Sequence, residues 1–179
     1  MKLTAKKIPD EFIRAIPRGF RLIRKQEHDF LLVESLFCPN GHNLIVDSVR
    51  IHDEASIKLK IVLNGEPGLL FVDAFWGSHT KLFSFIPKVS AKEPIFVETY
   101  CPYCDAGMTE RHLCAQKGCG SDRSVLLMLP GGKNKIHVCA RLGCPGHLLD
   151  INDMPHKLVR SVSVINYFGA GSDDLFGSI

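Results

Sequence analysis

This 179-residue chain has no apolar run approaching the roughly 18 to 20 residues that cross a bilayer as a helix. Its opening residues include lysines but no apolar stretch behind them, so they do not read as a secretory signal. Charge of one sign is scarce: 22 lysines and arginines against 19 aspartates and glutamates leave a net +3. The basic residues near the start are interrupted by Asp10, Glu11, Glu27 and Asp29, so no phosphate-binding stripe forms. Catalytic signatures are absent too. There is no His-Glu-x-x-His, no nucleophile-elbow glycine pattern and no dinucleotide fingerprint. Pro130-Gly131-Gly132-Lys133 lacks the second glycine and following hydroxyl residue of a phosphate loop. The expectation is a cytoplasmic protein with no membrane segment, for which nucleic acid is a weakly supported partner. A content of 45% hydrophobic and 23% charged residues is ordinary for a globular chain and excludes wholesale disorder.

What the chain does have is clustered metal-binding chemistry. All seven cysteines fall in four short clusters: Cys38-Pro39-Asn40-Gly41-His42, Cys101-Pro102-Tyr103-Cys104, Cys114 with Cys119, and Cys139 with Cys144. His42 completes the only cluster with a single thiol. Eight donors match two closed sites of four, one Cys₃His and one Cys₄, with no thiol left over. An odd cysteine count would strand one thiol in a disulfide framework, and close-spaced pairs in a reducing compartment favour metal. The stretch His112-Leu-Cys-Ala-Gln-Lys-Gly-Cys returns 25 residues later as His137-Val-Cys-Ala-Arg-Leu-Gly-Cys, which implies repeated use of one turn. Cys144-Pro-Gly-His147 also echoes the first cluster and makes His147 an alternative ligand. His112 and His137 read better as histidines bonded to nearby groups, and His28, His52, His79 and His156 as ordinary.

The surrounding pattern is mostly β. Residues 1–29 form a mixed basic segment with a short helical turn after Pro9. Residues 30–100 read as an antiparallel core, a meander or small barrel. Ile57, Leu59, Ile61 and Leu63 alternate with Lys58 and Lys60, and Asn64-Gly65 marks the turn to a partner strand. Phe71, Phe75, Trp76, Phe83, Phe85 and Phe96 are expected in the core. Residues 101–150 make a metal-binding lobe around a hairpin, 151–168 a last Val- and Ile-rich strand joining the core, and 169–179 a glycine-rich, acidic, flexible tail.

Two turns carrying cysteine pairs on either side of a β-hairpin resemble the zinc-ribbon class, although ribbons favour two residues between paired cysteines and residues 114–144 have four. Three pairings of clusters are open. Cys114/Cys119 can join Cys139/Cys144, leaving Cys38/His42 with Cys101/Cys104; Cys101/Cys104 can join Cys114/Cys119; or the pairs can interleave. The expected function is a zinc-binding structural or interaction protein with two zinc ions and a protein partner. Two alternatives stand beside it. Cys101-Pro-Tyr-Cys104 looks like the motif of glutaredoxins, which implies a thiol redox enzyme with Cys101 as nucleophile. Paired cysteines also resemble rubredoxin-type sites, which implies iron.

Overall fold

The computed structural model describes residues 7–25, 27–88 and 93–165. It is mostly β, as expected, but the sheets do not close into a barrel. A short helix α1 (Asp10–Arg14) follows Pro9 and buries Phe12 completely. Strands β1 (Phe20–Lys25) and β2 (His28–Val33) pair as a hairpin that crosses from the mixed basic segment expected over 1–29 into the core expected from residue 30. The acidic tail expected over 169–179 lies outside the described residues.

The central sheet is organised by one long strand, β4 (Glu54–Leu63), whose alternation buries Ile57, Leu59, Ile61 and Leu63. Strand β5 (Glu66–Val72) returns along it after the Asn64-Gly65 turn, and β6 (Lys81–Phe83) adds to β5. The other edge of β4 is shared by two strands. Strand β3 (Ile45–Ile51) covers its beginning, with Ile45 opposite Ile57, and β7 (Glu98–Tyr100) covers its end, with Tyr100 opposite Lys60. The start of β3 and the end of β7 therefore meet near Lys58, whose amide bonds the Leu44 carbonyl. That meeting point positions the first cluster.

A second sheet contains β8 (Thr109–Arg111), β9 (Arg123–Met128), β10 (Lys135–Cys139) and β11 (His147–Asp150), in spatial order β11-β10-β9-β8. The hairpin β9–β10 is the one the sequence predicts, with Cys139 opposite Ser124. One hydrophobic core runs continuously through both sheets. Phe75 and Trp76 lie in it as expected, whereas Phe96 is 37% exposed and carries the Arg123 guanidinium over its ring.

The last strand is not a strand. Residues His156–Ser163 form helix α2, directly after Pro155. Leu158, Val159, Val162 and Ile165 fall on one helical stripe, and of these Val159, Val162 and Ile165 are buried. Trp76 Nε1 donates to the Val162 carbonyl (2.8 Å), and the Leu149 amide donates to Ser163 Oγ (3.0 Å). Val and Ile content suggests a strand, but the spacing of the apolar residues decides, and that spacing is helical.

Candidate metal centres

Among the described residues, two groups of potential ligands come together: Cys38, His42, Cys101 and Cys104, and Cys114, Cys119, Cys139 and Cys144. Within each group the ligand atoms all lie within 4.8 Å of one another. The first of the three pairings is therefore the one assembled.

The first centre forms where β3 and β7 converge. The chain enters β3 from a tight turn in which the Cys38 amide bonds the His42 carbonyl and the Gly41 amide bonds the Cys38 carbonyl. Gly41 adopts φ of +86°, a conformation that favours glycine. The chain leaves β7 through a matching turn, Cys101 to Asp105, closed by the Asp105 amide on the Cys101 carbonyl. The second centre is built from the loop between β8 and β9 and the loop between β10 and β11. These two loops carry the internal repeat, and their hydrogen bonds repeat as well. The amides of Cys114 and Cys139 bond the carbonyls of Ser121 and Gly146, each seven residues on. The amides of Cys119 and Cys144 bond those of Gln116 and Arg141, each three residues back. Gly118 and Gly143 hold φ of +80° and +81°. The paired histidines of the repeat, His112 and His137, stack face to face with centroids 4.2 Å apart.

The donor geometry can be tested against a metal. A tetrahedral ion about 2.3 Å from each sulfur requires sulfurs about 3.8 Å apart, and a sulfur and an imidazole nitrogen about 3.6 Å apart. The separations are 3.8 Å for Cys114–Cys144, 3.7 Å for Cys119–Cys139, 4.0 Å for Cys38–Cys104 and 3.5 Å from Cys38 Sγ to His42 Nδ1. These separations, two of the six edges in each group, match those of a tetrahedral shell. A disulfide would need about 2.05 Å, and all seven cysteines are free. Each centre can hold one metal ion.

The backbone favours thiolate at these sulfurs. The amides of Tyr103, Gln116, Arg141 and Gly146 each donate to the cysteine sulfur two residues earlier, at 3.3 to 3.5 Å. The His42 amide donates to the Cys38 sulfur four residues earlier at 3.4 Å, and Asn40 Nδ2 reaches Cys104 at 3.5 Å. Such outer contacts orient ligands around a metal. The Ala106 amide is the main cause that holds Cys104 down to about 7. At Cys119 burial acts upward, but the Ser121 amide and neighbouring sulfurs outweigh it, again leaving about 7. Burial pushes Cys101 up, Cys114 up to about 11 and Cys144 higher still. A low thiol beside high ones is what converging sulfurs produce when only some of them can carry charge; a cation at the centre lets all ionise.

His147 is not placed to be a ligand. Both ring nitrogens lie on backbone carbonyl oxygens, Nδ1 at 3.0 Å from that of Pro145 and Nε2 at 2.8 Å from that of Ile165. The imidazole thereby ties the second centre to the end of α2. The glutaredoxin expectation fails on geometry. That motif needs an exposed first thiol at the start of a helix. Cys101 is fully buried, its thiol is pushed up, and the chain turns at Asp105 into β8 with no helix.

One residue of the second centre escaped the sequence reading. A Cβ on Gly146 would lie 2.4 Å from Cys114 Sγ and 3.3 Å from Cys144 Sγ. The signal was available in Cys144-Pro-Gly, but only the packing shows that the glycine faces another loop's sulfur. Gly146→Ala should push Cys114 out of position, at about 1 to 3 kcal/mol of overpacking, and weaken metal retention at the second centre alone. Chelator competition followed metal by metal checks this; a variant retaining both ions as tightly as the parent would contradict it.

Comparison of the chain with protein-family models, with curated proteins and with solved structures finds no match in any of the three. The fold and the two centres define a mostly β protein with two cysteine-rich sites able to hold metal.

Proposed function

We propose that the protein binds two zinc ions as structural cross-links and acts as a non-enzymatic module that docks a protein partner in a reducing, cytoplasmic compartment. The observation that carries the zinc reading is the set of tetrahedral edges in two groups of four, since four protein ligands close the shell and leave no position for a reacting water. The ion's contribution is charge: it lets thiolates lie together and so locks the turns that carry them. His42 favours zinc over iron in the first centre, because rubredoxin-type iron is held by thiolates alone. Docking is supported by large apolar side chains left on the surface, among them Tyr103 at 51% exposure inside one ligand turn and Leu113 at 69% beside another. Among the described residues, no helix is long and apolar enough to cross a membrane.

Elemental analysis of the purified protein tests the first part, and two zinc ions per chain in a colourless sample are expected. A red or brown sample carrying iron would replace zinc with the rubredoxin-like reading, and a metal-free folded protein would end both. Affinity capture tests the second part. The expected partner is a protein lost on Tyr103→Ala or Leu113→Ala; nucleic acid retained with a steep salt dependence would overturn it.

A further inference from the structure

Between helix α2 and strand β11 runs a surface groove of about 580 Å³ whose lining includes no metal ligand. Its floor is apolar, formed by half-buried Leu148 and buried Leu149, Ile151 and Val159. Its rim is cationic. His156, Lys157 and Arg160 line it from α2, all three exposed, and among the described residues none is paired with a carboxylate. One carboxylate, Asp150, also lines the groove, and it stands 4.0 Å from His137 Nε2 and opposite Lys135 on β10. The chain leaves this region at a fixed point. Ile165 is buried just past α2, and its carbonyl accepts from His147 Nε2 at 2.8 Å. Residues 166–179 follow it and include Asp173-Asp174-Leu175-Phe176, two carboxylates directly before two large apolar side chains.

We propose that this groove is the docking site of the chain's own C-terminal segment, with Asp173 and Asp174 on Lys157 and Arg160 and with Leu175-Phe176 against the apolar floor. Charge complements charge, since carboxylates on a guanidinium and an ammonium make the stronger class of hydrogen bond. The order of the segment matches the groove: its acidic pair meets the rim and its apolar pair covers surface that α2 and β11 leave open. A groove of this volume lies within the range of about 300 to 1,000 Å³ that takes a compact ligand. Reach is sufficient as well. Residues 166–172 span up to roughly 23 Å when extended, whereas the 8 residues of α2 are about 12 Å long, so the chain can return along the helix. Gly169 and Gly171 permit the reversal this needs. The inference is independent of which ions the centres hold and of any protein partner.

NMR of the metal-loaded full-length protein tests it. Nuclear Overhauser effects are expected between the Phe176 ring and the methyl groups of Leu148 and Val159. Phe176→Ala should shift both methyl resonances as the ring current is lost. Lys157→Glu with Arg160→Glu should abolish the contacts, and adding Asp173→Lys with Asp174→Lys should restore them. The contacts should fade as salt rises from about 0.01 to about 1 M, over which the screening length falls from roughly 30 to roughly 3 Å. Should the charge reversal on α2 not fold, Phe176→Ala and the Asp173→Lys, Asp174→Lys pair still decide, because they leave α2 untouched. Absence of the contacts in the parent protein, or Leu148 and Val159 resonances indifferent to Phe176→Ala, overturns the proposal. So does their appearance only between labelled and unlabelled copies in a mixed sample, which would seat the segment on a second chain.

Discussion

A strong chelator under reducing conditions is expected to unfold the protein, beginning with the loops at residues 112–121 and 140–147. Those loops have few strand contacts of their own, and the described chain there is held by turns whose sulfurs converge on one point. A structural zinc site in a small motif is worth about 10 kcal/mol or more of apparent folding energy, while an entire domain is stable by only about 5 to 15. Two ligands of the first centre are buried, with Cys38 and Cys101 only 1% and 0% exposed, and it joins the two strands that share one edge of β4. Its loss should follow and take the central sheet with it. The measurement is near-ultraviolet circular dichroism from buried Trp76 together with methyl NMR dispersion during chelation and readdition of zinc. Metal-free protein with an unchanged dispersed spectrum would sink the view that the ions hold the fold.

Replacing one ligand should show the same logic locally. Cys139→Ser is expected to release one of two ions and leave the first centre loaded. Cys139 ends β10, its sulfur is 3.7 Å from that of Cys119, and its amide is already bonded to the Gly146 carbonyl. A serine keeps that backbone bond but supplies a far poorer donor, so the β8–β9 and β10–β11 loops lose their cross-link. Several kcal/mol should go with it, lowering Tm by more than about 10 °C for a chain of this size. Exposed Lys117, inside the first of these loops, should become a tryptic site. Two retained ions and an unchanged digestion pattern would show that the sulfurs of residues 114–144 do not form one centre.

The two centres were unequally legible. Cys114, Cys119, Cys139 and Cys144 are joined by a hairpin whose strands and turn are plain in the sequence, and an antiparallel hairpin returns the chain to its own starting point. The repeat of Gly118 and Gly143 in that stretch foretold two copies of one turn, which their nearly equal φ values bear out. The first centre was harder, because its halves are separated by residues 43–100. Helix α2 was misread for a different reason. Its valines and isoleucine favour strands by composition, but Val159 and Val162 lie one helical turn apart against Trp76 and the β11 strand, where burial outweighs propensity. Gly146 carried only its place in Cys144-Pro-Gly as a local signal, since its packing role runs through Cys114, remote in sequence.

The order of residues alone determined which atoms could serve as donors, because thiols and an imidazole in Gly- and Pro-containing turns present two ligands whatever surrounds them. It also determined the alternation that makes β4 a half-buried strand. Which turns face each other was decided only in three dimensions. Strand β3 begins and strand β7 ends side by side along one edge of β4, so two turns about sixty residues apart point at the same spot. Hydrogen-bond register between distant strands sets that meeting, and register is a property of the assembled sheet rather than of any segment within it.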